Sequence, residues 1–351
     1  MTYAQAQSND KKLTAKTTRN ARKATFQETH ANNYASVRVC KRMFSISRWI
    51  NFIESELEGM NERKEGRPFE YCNTMIVWIM SFIGYTKGLT FRKAAGIASG
   101  QLSDHGIRGP DYTTIFRRIT KLVKESLSEP EDERFISEYV KPKANDRKIR
   151  AAVDSTGLNL SKTTLWRKNK WGVGPDRRGW LKLHVIADID TGEIIAYILT
   201  EENVADNCAF RQLIRLALSE GYDLRTVFAD AAYEDRESWK MLRAAGIRFI
   251  VRFKSNTVAH SNGCMDRGEA AGVWVKNTYD EWKKITHYGL RWKIEVVFSD
   301  LKRLVAETIS AIVSDGMIRE TLTKVLAYNN HKQVRANMIG ITGNDIYIAD
   351  V

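Results

Sequence analysis

Apolar residues recur at helical spacing through the first third of the chain and at strand spacing beyond it. From about Met43 the segments F-S-I-S-R-W-I-N-F-I-E-S-E-L, T-M-I-V-W-I-M-S-F-I-G, T-F-R-K-A-A-G-I-A-S-G and P-D-Y-T-T-I-F-R-R-I-T-K-L-V-K-E follow one another. Their periodicity predicts helices. The last opens on Pro110, which suits a first helical turn, repeats Tyr112, Ile115, Ile119 and Leu122, and carries Arg117, Arg118, Lys121 and Lys124. Two helices around a Gly-containing link (100 to 109) suggest a helix-turn-helix that binds DNA, although that link exceeds the usual three or four residues.

Past E-P-E-D-E-R (129–134) and K-P-K-A-N-D-R-K (141–148) the pattern changes. R-K-I-R-A-A-V-D, W-L-K-L-H-V-I-A-D and E-I-I-A-Y-I-L-T read as strands, the second and third joined through D-T-G as a hairpin. A helix (207–220), a strand (T-V-F-A-D), a helix (235–245), a strand (I-R-F-I-V-R-F), an irregular stretch over 254–286 and a final helix from Tyr288 complete the series. This order predicts an α/β fold with a ribonuclease-H-like mixed sheet, preceded by an all-α DNA-binding domain. The expected organisation is a basic disordered arm at 1–42, helices over 43–140, the catalytic domain over 147–337 with a small insertion at 254–286, and a tail at 338–351.

Charge adds a partner. The 351 residues carry 55 Lys and Arg against 42 Asp and Glu, a net charge of +13, which points to a polyanion, nucleic acid before membrane. The first 42 residues hold nine of those cations against Asp10 and Glu28. Cys40, Cys72, Cys208 and Cys264 form no C-x-x-C pair, so neither a zinc ribbon nor a disulfide framework is indicated. The apolar run at 74–84 is shorter than the ~18 residues of a membrane span, and no signal peptide opens the chain. These features predict a cytoplasmic, nucleoid-associated protein.

The candidate chemistry is carboxylate chemistry. Asp154 is expected at the end of the first strand and Asp230 at the end of the fourth, where a sheet presents side chains to ligands; Glu295 on the last helix can complete a triad. Such oxygen ligands suit Mg²⁺, and two ions can serve an in-line displacement at phosphorus. In Y-G-L-R-W-K-I-E-V-V-F-S-D-L-K, read as one helix, Tyr288, Arg291, Glu295 and Lys302 fall within an arc of about 60° at about 100° per residue, while Asp300 lies about 140° from Glu295. His184 reads as structural and Asp206 as a helix N-cap rather than a fourth ligand. The D-T-G at 190–192 lacks the second aspartate an aspartic protease needs. A loop containing Arg167, Lys168 and Lys170 among tryptophans is suited to phosphates and exposed bases.

Tyr288, Arg291, Glu295 and Lys302 resemble the Y-(2)-R-(3)-E-(6)-K signature of prokaryotic insertion-sequence transposases of the DDE type, and D-S-T-G and A-D-A-A-Y resemble the contexts of their two aspartates. The resemblance covers roughly 147–337. It implies that Asp154, Asp230 and Glu295 bind two Mg²⁺ ions, with Mn²⁺ able to substitute, and that Tyr288, Arg291 and Lys302 engage phosphates. It further implies a homodimer on double-stranded DNA that cleaves element ends and joins the 3′-OH to a target. The alternatives on the same residues are a ribonuclease-H-like nuclease or resolvase without strand transfer, and a domesticated DNA-binding protein without catalysis.

Overall fold

The computed structural model describes residues 39–86, 88–161, 179–261 and 263–339. The helical periodicity of the first third is realised as α1 (Ile50–Asn61), α2 (Asn73–Tyr85), α3 (Phe91–Ser103) and α4 (Tyr112–Ser126). Residues 39–44 are also helical and bury Val39 and Met43, so packed chain reaches back across the boundary drawn at 42. Two N-termini explain two sequence features. The Glu56 carboxylate accepts from Asn73 N and Thr74 N, both at 2.9 Å, satisfying amides that an α-helix leaves unpaired at its start. At α4 the cap is Asp111, accepting from Thr113 N (2.7 Å) and Thr114 N (2.9 Å); Pro110 stands ahead of the cap rather than inside the first turn.

The strands are β1 (Leu127–Ser128), β2 (Phe135–Val140), β3 (Lys148–Leu160), β4 (Trp180–Asp188), β5 (Ile194–Glu201), β6 (Asp223–Ala229), β7 (Arg248–Val251) and β8 (Thr308–Ile309). They form one sheet ordered β1-β2-β5-β4-β3-β6-β7, with β8 beside the far end of β3. The antiparallel meander β3-β4-β5 meets the parallel strands β6 and β7 across β3, the ribonuclease-H-like arrangement expected. D-T-G is a turn, as read: Gly192 takes φ 74°, a conformation that favours glycine, and its N–H meets the Asp188 carbonyl at 2.8 Å.

Three expectations are corrected. Residues 127–140, assigned to the helical region, add β1 and β2 to the β5 edge, because Phe135 and Tyr139 are drawn into the cores on the sheet's two faces. Helices α5 (Asp206–Ser219) and α6 (Arg236–Ala244) follow as predicted, but the irregular stretch at 254–286 contains α7 (Met265–Lys276) and α8 (Tyr279–Thr286). The final expected helix is broken: Tyr288–Trp292 is a 3₁₀ turn, and α9 runs Lys293–Val305. His287 between α8 and that turn is left-handed (φ 58°), which redirects the chain before a regular helix can start. Helix α10 (Ser314–Ile339) follows and includes the start of the expected tail.

Successive strand residues face opposite sides of a sheet, and β3 divides accordingly. Ala151 and Val153 join a core with Phe210, Leu213 and Trp239 from α5 and α6. Ala152, Leu158 and Leu160 join the other core, shared with α9, α10 and the helices of 50–126. There α2 packs closely on α10, where a Cβ on Gly84 would lie 2.5 Å from the Thr323 carbonyl oxygen. Only glycine lets the backbones approach so closely.

Candidate active site

Asp154 lies within β3 rather than at its end, because β3 continues to Leu160 along β4. Its parallel ladder with β6 nevertheless stops at the Ala152–Phe228 pair. Between that pair and Asn159, where β8 joins, no strand lines the β6 side of β3 among the described residues, so Asp154 occupies the mouth that a strand end would have created. Asp230 directly follows β6 and caps the 3₁₀ turn Ala231–Tyr233, accepting from Ala232 N at 2.7 Å. Glu295 stands in the first turn of α9 with its side chain 60 % exposed.

Arg291 joins these pieces. Its Nη1 donates to Asp154 Oδ2 at 3.0 Å and its Nη2 to Glu295 Oε1 at 2.6 Å. Burial pushes the Asp154 carboxyl above the usual range and the nearby charge of Asp230 adds to this, against the Ser155 amide and Arg291, which favour the anion. This is the electrostatic condition of neighbouring carboxylates short of positive charge. Hard oxygen donors of this kind fit a divalent cation. Among the described residues no three acidic, His or Cys side chains are gathered tightly enough to hold an ion as they stand; the guanidinium lies between Asp154 and Glu295.

The other predicted residues divide. Tyr288 turns inward, its ring 4.7 Å from that of Trp282, and burial pushes its hydroxyl up to about 12, so it remains an O–H donor at neutral pH. Lys302 is one-third exposed and 3.3 Å from Glu307. Asp300 faces away, as its angular separation predicts, bonded to Lys332 (2.6 Å) and Arg303 (2.8 Å). On α4, Arg117 is exposed and Lys121 is exposed beside Glu125. Arg118 instead donates to the Tyr71 carbonyl (2.9 Å) and Asn73 Oδ1 (3.2 Å), clamping α4 to the start of α2. Arg167, Lys168 and Lys170 lie outside the described residues.

His184 is fully buried, as a structural histidine would be. The N-cap of α5 is Ala205, and Asp206 is the helix's first residue, paired with Lys182 at 2.9 Å. Lys182, which pairs with Asp206, and Ser155, directly across the ladder from His184, were not singled out from the sequence.

A mixed sheet with an acidic mouth at β3 and β6, beside an acid-bearing helix, is the architecture of a ribonuclease-H-like catalytic domain. The family model described as transposase DDE domain matches residues 146–330, so the chain belongs to that family, whose members are divalent-metal-dependent and act on DNA: it is a DNA transposase. Solved structures with weaker similarity include a piggyBac transposase synaptic complex with hairpin DNA, at 8 % identity over 87 % of this chain and 76 % of that one, TM-score 0.36. The Drosophila P element transposase strand transfer complex matches at 11 % identity over 86 % and 67 %, TM-score 0.30. The Mos1 strand transfer complex matches at 12 % identity over 67 % and 81 %, TM-score 0.22. Among the described residues, no helix is long and apolar enough to cross a membrane.

Proposed function

We propose that this chain is the transposase of an insertion sequence, which binds the terminal inverted repeats of its own element, hydrolyses a strand at each end and joins the freed 3′-OH to target DNA by transesterification. The observation that carries the reading is Arg291, one side chain bonded at once to Asp154 and Glu295, in a mouth that Asp230 also borders.

Asp154, Asp230 and Glu295 are the residues to hold Mg²⁺, two ions in all, with Mn²⁺ able to substitute. Bound ions supply the positive charge that stabilises attacking and leaving oxygens at phosphorus. The chain's own groups do the rest. Arg291, released from its carboxylates, offers a fork of donors to a non-bridging phosphate oxygen. Tyr288, kept un-ionised, has a hydroxyl proton to donate. Lys302 lies about 10.5 Å beyond Glu295 along α9 at 1.5 Å per residue, the reach of a neighbouring phosphate. Arg117 and Lys121 present charge on an exposed face of α4, and Arg167, Lys168 and Lys170 add cations to the sequence between β3 and β4. Joining two ends requires two such sites, hence a homodimer on DNA, at work on the nucleoid.

The test supplies purified protein with Mg²⁺, pre-cut and uncut end DNA and a target plasmid. Ends covalently joined to the plasmid are the expected product; nicked ends with no joined product would leave a nuclease in place of a transposase.

A further inference from the structure

The strand register carries one row of the sheet past the ends of β6 and β7 and into the mouth. Ala152 on β3 pairs with Phe228 on β6, and Phe228 with Ile250 on β7. All three belong to the core on the α9 side, whereas Val153, Ala229 and Val251, the next residues along, belong to the core on the other side. Two residues beyond the paired row the same line reads Asp154, Asp230 and Arg252. Side chains two apart share a face, so Arg252 projects on the same side as the two acids. Phe253 falls back into the opposite core, which keeps the alternation beyond β7. Neighbouring strands lie about 4.8 Å apart, which puts the Arg252 backbone one such step from Asp230 and two from Asp154.

Arg252 differs from the other guanidinium groups around the mouth. Arg291 is bonded to Asp154 and Glu295, Arg267 to Glu234 at 2.7 Å and to the His260 carbonyl at 2.9 Å, and Arg211 to Asp235 at 3.0 Å. Arg252 is exposed, and among the described residues no acid forms an ion pair with it, Asp230 included. An aromatic ring holds it instead: its Cζ lies 5.3 Å from the centre of Tyr279, a cation–π contact that uses none of its five N–H donors on an oxygen. Tyr279 opens α8, where Thr278 and Glu281 cap one another's backbone. Its ring lies 6.0 Å from that of Trp282, itself 4.7 Å from Tyr288. We propose that Arg252 binds a DNA phosphate: at the β7 end of the row it takes the phosphate next to the one held at Asp154 and Asp230, with Tyr279 fixing its direction. An unneutralised guanidinium offers paired donors that match phosphate oxygens, and Arg252 does so from the end of the row away from Asp154, where Arg291 is bonded. The assignment rests on Asp154 and Asp230 forming a DNA-cleaving site.

A methylphosphonate scan tests this: the full chain binds pre-cut end DNA in which one phosphate at a time near the cleavage point has been made neutral. Wild type is expected to lose about tenfold in affinity at the phosphate that Arg252 grips, the scale of one hydrogen bond between charged groups. Arg252→Ala and the longer Arg252→Gln are expected to bind unmodified DNA about tenfold more weakly and to lose nothing further at that one phosphate. At the other phosphates they should respond as wild type does, with thermal melts showing folded protein. Folded variants that match wild type in affinity and at every phosphate overturn the proposal. Variants that bind weakly yet still respond to every phosphate as wild type does overturn it too, because Arg252 then acts only through its packing on Tyr279. Asp154→Asn on uncut ends separates the two levels. If it still cleaves, the site reading falls and takes the proposal with it; if it is inactive while the Arg252 variants match wild type, only the proposal falls.

Discussion

Arg291 is hydrogen-bonded at 3.0 Å to Asp154, a residue 137 positions away, and the same guanidinium reaches Glu295 on the next turn. A fixed positive charge thus occupies the space between two acids of the proposed triad. Competing cations at one pair of carboxylates exclude each other. Without DNA, Arg291→Ala is therefore expected to bind Mn²⁺ several-fold more tightly than wild type, although it binds end DNA more weakly and cleaves more slowly. Calorimetric titration of the DNA-free proteins reads this directly; equal or weaker binding by the variant would show that Arg291 does not compete.

Asp154→Asn and Asp230→Asn are expected to abolish Mg²⁺-dependent cleavage while leaving end binding nearly intact. Asp154 adds a stability signature. Its folded carboxyl is raised, chiefly by burial, so the folded protein takes up that proton more readily than the unfolded chain. The charged carboxylate is a destabilising element at neutral pH that fades as pH falls through the folded value toward the unfolded one. Asp154→Asn should therefore melt no lower than wild type at pH 7, with any advantage shrinking at acid pH. A variant that melts well below wild type at pH 7 would show that the carboxylate's contacts outweigh its desolvation.

Glu295→Gln should eliminate cleavage and strand transfer, whereas Asp300→Asn should keep both within about tenfold, ~1.4 kcal/mol in barrier height. The cost of Asp300→Asn falls on stability instead. Its bonds to Lys332 and Arg303 outweigh burial and hold its carboxyl below the usual range. A depressed group stabilises above its unfolded pKa and loses that contribution as pH falls. Thermal melts at pH 7 should show a loss on the order of 1 to 3 kcal/mol, typical of hydrogen bonds to charged groups, narrowing in acid. A catalytically dead, fully stable Asp300→Asn would contradict the geometry.

Neighbouring cations on α4 should behave differently. Arg117→Ala and Lys121→Ala, which remove exposed charge, should each reduce the slope of log affinity against log salt by about 0.9 if each meets a phosphate. Arg118→Ala, which removes the clamp on Tyr71 and Asn73, should lower the melting temperature and leave that slope unchanged. Salt titrations of the three variants side by side decide the matter; a shallower slope for Arg118→Ala alone would reverse the assignment.

The helices and most of the sheet were legible because their periodicity is strong, and Asp230 was legible because β6 does end there. Asp154 was misplaced within its strand: D-S-T-G is rich in turn formers, yet pairing of Gly157 with Lys182 and Asn159 with Trp180 keeps it extended. Helix α7 was missed because it fully buries only Ala271, leaving no apolar stripe to read. The 3₁₀ turn at Tyr288–Trp292 was hidden because a side chain's preference says little about a left-handed residue, here His287 ahead of it, set by its surroundings. The neighbours of Asp206 were out of reach for another reason: Lys182 and His184 on β4 meet the first residue of α5 only through the tertiary fold.

The seam at Gly84 carries a consequence for how the protein is made. Helix α2 packs closely against a helix built from residues 314–339, so it leaves the ribosome long before its partner exists. Domains fold as units during synthesis, and here the unit is closed by a segment that follows the whole sheet in the sequence. A chain interrupted before α10 would leave the apolar face of α2 bare and prone to aggregation, which makes translation to the end of α10 a condition for a stably packed helical region.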